Sequence, residues 1–217
     1  MLNEKKFKVT FLLDKTNLWI EKYLKNYNFK LNKKYLINIQ KNPNRIKGQD
    51  LIFPMDYTKI LSDNFLKRNK FVAITHASKL TRDRGFAPVQ YQVLKNKKKI
   101  YISIIKATNQ VDTGLLYMRD SFMLNGNELS DEIRFKTATS TFKIIKKFLT
   151  KYPNIKSIKK IKGGNFNKRR RATDSELNIN KSIKSQFNLL RTCDNFLYPS
   201  FFKLKKKIYI LKIYKSK

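Results

Sequence analysis

The chain has 217 residues, 41% of them hydrophobic, which is enough for one domain with a real core and excludes global disorder. A single cysteine, Cys193, and a single histidine, His76, exclude a disulfide framework, a cysteine-rich zinc site and any metal centre needing two imidazoles, so no metal is expected. With 49 Lys and Arg against 15 Asp and Glu the formal charge is +34, which fits a polyanionic partner; only 10 of the 49 are Arg, and the lysines run along the whole chain, so charge alone does not select nucleic acid over anionic small ligands.

In chain order, residues 7–13 (FKVTFLL) have the β-branched and aromatic pattern of a buried strand. Residues 14–27 predict a helix with an apolar stripe of Leu18, Ile20, Tyr23 and Leu24, capped by Asp14 or Thr16. Residues 35–39 predict a second strand and 50–54 a third, ended by Pro54 because proline cannot donate to a ladder. A fourth strand over 71–75 runs directly into His76. Proline in the first turn predicts a helix over 88–94, residues 100–105 a fifth strand, and a sixth begins at Gly114. Ser130 as N-cap, Asp131 and Glu132 in the first turn and Lys146 and Lys147 near the far end predict a long helix that Tyr152-Pro153 stops.

Strands alternating with helices predict an α/β domain over residues 1–153 with a mostly parallel sheet flanked by helices. Residues 154–217 are basic at first, carry a Gly163-Gly164 turn, are partly helical over 175–191 and end in a strand over 208–214. They predict a small helix/strand appendage that serves an acceptor site or a homodimer contact. No apolar run approaches a membrane span and residues 1–6 lack a signal peptide's apolar core, so a cytoplasmic chain without a membrane partner is expected.

The six glycines are few enough that each marks a backbone requirement, and neither a G-x-G-x-x-G nor a G-x-x-x-x-G-K-[ST] pattern is present, which removes the usual dinucleotide and P-loop sites. His76 falls at the predicted carboxyl edge of a strand, where crevices form in open α/β sheets. A histidine satisfied by backbone at a strand end is the competing reading. Asp112, in Val111-Asp112-Thr113-Gly114, is either a turn aspartate or the group that orients His76 as a general base.

The segment Val72-Ala73-Ile74-Thr75-His76-Ala77-Ser78-Lys79-Leu80-Thr81-Arg82-Asp83-Arg84-Gly85-Phe86-Ala87-Pro88 resembles the formyltransferase motif of a strand, His, Ser, Leu, a short basic loop, Arg-Gly and Pro. Val111-Asp112-Thr113-Gly114 resembles that family's second motif, and Asp50-Leu51-Ile52-Phe53 with Tyr57 and Leu61 its pterin loop. Arg169-Arg170-Arg171, Gln186-Phe187-Asn188-Leu189-Leu190-Arg191 and Asp194-Asn195 resemble the closing segment of the sugar-nucleotide N-formyltransferases. The resemblance covers residue 50 to the end.

It implies a formyltransferase-type Rossmann-like domain that moves a formyl group from N10-formyltetrahydrofolate, the co-substrate, to the primary amine of a nucleotide-linked amino sugar in polysaccharide biosynthesis. His76 would be the general base and Asp112 its support. Tyr57, Leu61, Arg84, Gly85 and Gly114 would line the folate side, with Ser78, Lys79, Arg169, Arg170 and Arg171 toward the acceptor. The triple arginine has a second reading as a solvated basic turn. The chain departs from the family at Ile74, which stands where most relatives carry an oxyanion-binding Asn, and at Lys79 and Thr81. Alternatives are a methionyl-tRNA formyltransferase-like enzyme, whose RNA substrate suits the charge, and a non-catalytic basic RNA-binding relative.

Overall fold

The computed structural model describes residues 6–16, 19–29, 34–161 and 164–216; Leu18 of the predicted helix stripe and Gly163 of the predicted turn lie outside them. Strand β1 (Phe7–Leu13) is buried from Val9 to Leu13 because it is the middle strand of three. Helix α1 (Trp19–Asn26) carries the chain to β2 (Tyr35–Gln40), and both β2 and β3 (Leu51–Met55) run parallel to β1, with Val9 opposite Ile37 and Phe11 opposite Phe53.

Pro54 does not end the third strand: β3 continues to Met55, and Pro54 sits opposite Leu12. The Ile52 N–H donates to Phe71 O on the other side of β3. By the alternation of a strand, Pro54 turns its missing donor to that same side, where the bridge of Ile52 to Val72 has no continuation.

A short helix α2 (Asp63–Lys67), capped by the Ser62 hydroxyl, leads to β4 (Ala73–His76), which carries the histidine. A two-residue strand β5 (Arg84–Gly85) and helix α3 (Pro88–Leu94) follow. Then β6 (Lys99–Lys106) and β7 (Leu115–Met123) complete the main sheet. The strands of the first half are parallel, whereas β6 is antiparallel to β4 and β7 to β6. The sheet is therefore mixed. Within its antiparallel half, β4 reaches β6 through β5 and α3, whereas the short loop of residues 107–114 is enough to reverse the chain from β6 into β7.

Helix α4 (Ser130–Lys151) lays Ala138, Phe142, Ile145, Phe148 and Leu149 on the sheet, where they meet Phe11, Phe53, Ala73 and Ile104. Phe148 meets Phe53 edge to face at 5.9 Å. The N-cap is Leu129 rather than Ser130. Leu129 is extended, and its N–H donates to the Glu132 carboxylate at 2.8 Å, so the acidic side chain reaching back satisfies the helix end. No helix among the described residues is long and apolar enough to cross a membrane.

The C-terminal stretch is woven into this frame. Strand β8 (Lys159–Lys160) pairs with β7, and β9 (Phe166–Asn167) pairs with β5 beside the histidine loop. Helix α5 (Ile183–Thr192) packs on α3 and α4, and a hairpin of β10 (Ser200–Leu204) and β11 (Lys207–Leu211) follows.

The closing motif residues act as anchors. Arg191, 2% exposed, donates to the Glu128 carbonyl at 3.2 Å and lies 3.8 Å from its carboxylate, while its Nε donates to Asn188 at 2.9 Å. Gln186 closes the loop at residue 178 through its amide, Asn195 ties residue 213, and Asp194 pairs with Arg134.

Candidate active site

His76 is the last residue of β4, at the carboxyl end of a strand whose approach is bridged in parallel to β3 through Val72 and Ile52. The residue is 7% exposed, and both ring nitrogens face acceptors. Nε2 lies 2.9 Å from the Asp83 carbonyl oxygen, and Nδ1 lies 3.5 Å from Oδ1 of Asp112. A carbonyl only accepts, so Nε2 bears a proton in this arrangement, while Nδ1 faces the carboxylate.

Asp112 reaches the ring from the β6–β7 loop at φ 55°, a left-handed conformation that aspartate tolerates. Its second oxygen accepts the Gly85 N–H at 2.8 Å. Gly85 has φ 82°, and a Cβ there would stand 2.6 Å from the Asn167 carbonyl oxygen, so only glycine lets the loop pass against β9. Gly114 is tighter still, its imagined Cβ lying 1.7 Å from the Lys106 carbonyl oxygen. These two glycines hold the ends of the contact that Asp112 makes.

Sequence reasoning missed Asp83. It too is left-handed, at φ 59°, and its carboxylate is buried between Lys95 at 2.6 Å and Lys97 at 3.3 Å. Burial pushes this carboxyl up, but the two ammonium groups outweigh it and hold it below the ordinary range. The Asp83 N–H donates to the Asn165 side chain at 3.2 Å, a partner 82 residues on. A contact so distant in the chain, made by a backbone N–H and a side-chain amide oxygen, leaves no pattern in the sequence.

Asp14, expected with Thr16 as one of two candidates to cap the first helix, locks two loops together at the carboxyl end of β1. One oxygen accepts from the Thr16 N–H and hydroxyl, the other from the Thr58 N–H and hydroxyl, at 2.6 to 3.0 Å. Burial raises its pKa, and the four hydrogen bonds more than reverse this, holding it well below the carboxylate range.

The clamp positions the loop of Tyr57 and Leu61. Both are half-buried, and with Ile74 they rim the cluster of Leu12, Ile46, Ile52, Phe65, Val72 and Ala107. Burial and the nearby Asp14 charge push the Tyr57 phenol up. This apolar shelf beside His76 suits a flat aromatic ring system, and Ile74 adds only hydrocarbon to it.

The other predicted site residues divide. Ser78 has no exposed surface; its hydroxyl accepts the Leu80 N–H at 2.9 Å and its carbonyl accepts the Ser103 hydroxyl at 2.7 Å, so it shapes the loop. Lys79 is exposed, with its ammonium 4.4 Å from the Tyr101 ring centre. Arg84 ties the His76 and Asp112 loops by donating to Val111 O at 2.7 Å. Arg169 lies over the Phe86 ring at 5.8 Å. Arg170 donates to Asp174 O, and the Arg171 N–H donates to the Asp174 carboxylate, both as parts of a local turn. Among the described residues no group of three or more His, Cys, Asp or Glu side chains is placed to hold a metal ion.

No known family profile matches the chain. It is 28% identical over 116 residues to methionyl-tRNA formyltransferase of Rickettsia massiliae, which covers 53% of this chain and 38% of the length of that curated relative. Solved structures match more fully. A methionyl-tRNA formyltransferase from Clostridium thermocellum superposes with a TM-score of 0.79 over 97% of this chain and 94% of its own, at 19% identity. A 4-N formyltransferase from Francisella tularensis gives 0.73 over 97% and 98%, at 16% identity. HypX from Aquifex aeolicus in complex with tetrahydrofolic acid gives 0.66 over 94% of this chain and 37% of its own, at 12% identity. The fold is that of the formyltransferases, and the sequence similarity is to enzymes of the same class.

Proposed function

We propose that the protein transfers a formyl group from N10-formyltetrahydrofolate to a primary amine, with His76 receiving the amine proton. The observation that carries this reading is the pairing of His76 and Asp112 at the carboxyl edge of a formyltransferase fold. Folate supplies the activated formyl carbon, and the shelf of Tyr57, Leu61 and Ile74 is the surface that fits its ring.

To take a proton, Nε2 of His76 must leave the Asp83 carbonyl and carry no proton of its own, the neutral ring keeping its one proton on Nδ1 toward Asp112, so the incoming amine displaces the Asp83 contact. Asp112 positions the ring and offsets the positive charge that forms on it. The Ile74 side chain offers no donor to the tetrahedral oxyanion, so protonated His76 or a backbone N–H takes that role.

The acceptor we propose is a nucleotide-linked amino sugar, for which the supporting features are the closing motif and a sugar N-formyltransferase from Shewanella among the similar structures. Residues 1–153 would carry the donor and the base, and residues 154–217 would complete the acceptor side through β9 and Arg169. The charge of +34 and the sequence similarity to methionyl-tRNA formyltransferases favour a second reading, with methionyl-tRNA as acceptor.

The test is formyl transfer from N10-formyltetrahydrofolate to a panel of nucleotide-linked amino sugars and to methionyl-tRNA, followed by mass spectrometry, with His76→Ala alongside. A formylated sugar nucleotide lost in the variant is the expected result. Formylated methionyl-tRNA selects the second reading. Transfer to no amine, together with no folate binding, overturns the proposal.

A further inference from the structure

Beside the His76 loop lies an open cavity of about 470 Å³ whose lining includes Lys79, Arg82, Lys97, Lys99 and Tyr101. Asp83 is the one carboxylate in that lining, and it is already shared between Lys97 and Lys95. Four cations therefore face one spoken-for anion. Lys79 and Lys99 stand 4.4 and 5.5 Å from the same Tyr101 ring centre, so two ammonium groups crowd a single aromatic ring. Their nearness, the Lys79 hydrogen bond first, pulls the Tyr101 phenol below its ordinary value, as expected where positive charge lacks a counter-anion.

The crowding is built in rather than incidental. Arg119 donates to the Lys79 carbonyl at 2.5 Å and to Ser103, which itself holds the Ser78 carbonyl. Lys99 and Tyr101 project from β6, two residues apart on the face that also carries Ser103 opposite His76. Bringing like charges together is unfavourable unless an anion joins them. A guanidinium fork, three ammonium groups and a phenol hydroxyl are all donors, and their natural complement is a group of phosphate oxygens.

We propose that this cavity is a phosphate site that seats a diphosphate or a phosphodiester of the acceptor substrate. Its position follows from Asp83. Asp83 borders the cavity and its carbonyl touches His76, so a bound phosphate lies one residue's length from the base. Assigning the phosphate to the acceptor rests on the formyl-transfer reading; the binding itself does not. Arg169, Arg170 and Arg171, the phosphate candidates that the sequence offered, do not line this cavity.

Direct binding tests this without catalysis. Calorimetric titrations would use inorganic pyrophosphate, UDP and a short RNA hairpin against the wild type, Lys79→Gln/Lys99→Gln, and the remote pair Lys143→Gln/Lys151→Gln. His76→Ala serves to separate binding from transfer. The expected result is saturable binding that weakens at least about tenfold in Lys79→Gln/Lys99→Gln and persists in both other variants. Preference for UDP assigns the site to a nucleotide diphosphate, and preference for the hairpin to a phosphodiester backbone. Equal weakening by the remote pair would show diffuse charge attraction and overturn the proposal, as would unchanged binding in Lys79→Gln/Lys99→Gln. If binding behaves as expected but no amine is formylated, the site stands and the transferase reading falls.

Discussion

Replacing Asp112 with Asn removes one charge beside His76 and little else. The amide oxygen of Asn can still accept the Gly85 N–H, and Asn tolerates φ 55° as Asp does. Folding stability should therefore be nearly unchanged. At 3.5 Å from the ring nitrogen, with an effective dielectric constant of ~20, the lost attraction to a full imidazolium is about 5 kcal/mol. A proton about half transferred in the transition state feels roughly half of this, so kcat should fall between ~50-fold and ~3,000-fold. The assay is single-turnover formyl transfer at saturating acceptor, with circular dichroism melting as the control for folding. In the same series, Asp112→Asn should add nothing to His76→Ala, because a positioning residue acts only through the ring. A loss of less than about fivefold with the melting temperature unchanged, or an equal additional loss in the His76→Ala background, would refute the charge-support role.

Three further outcomes follow from the geometry. Gly114→Ala would drive a methyl group to 1.7 Å from the Lys106 carbonyl and should cost about 3 kcal/mol or more in urea unfolding; Gly48→Ala, left-handed but with open space around it, should cost only about 1 kcal/mol. Burial raises the Glu128 pKa, but bonds from Lys136 and from backbone N–H groups bring it from 4.5 down to about 2. A carboxyl lowered on folding stabilises the protein above its unfolded pKa, and this contribution, about 3 kcal/mol, is lost as pH falls from near 4.5 toward about 2. Acid titration of stability in Glu128→Gln should be correspondingly flatter over that window. Finally, Ile74→Asn should raise kcat about tenfold or more by adding an oxyanion donor, while lowering stability by roughly 2 kcal/mol because Ile74 bridges two apolar clusters; an unchanged kcat in a folded variant would show that the oxyanion is held elsewhere.

What the order of residues determined by itself was local or repetitive. Runs of β-branched and apolar residues placed β1 and β6, and end signals (Pro88 for α3, the acidic first turn and Pro153 for α4) placed the two helices, all to within a residue or two. His76 and Asp112 were legible as candidates because the chain has one histidine and because each stands in a short motif. Pro54 misled at this level, since whether a missing N–H matters depends on which neighbour strand lies on that side. Only tertiary structure decided that the second half of the sheet runs antiparallel, that Asp14 joins two loops, and that Arg191 is a buried anchor. It alone placed the Asp83 carbonyl on His76 and gathered Lys79, Arg82, Lys97 and Lys99 around one cavity. In a chain with lysine everywhere, no run of letters marks the few whose charges converge; convergence is a property of distance in space, and the loops that bring it about carry no periodic signal.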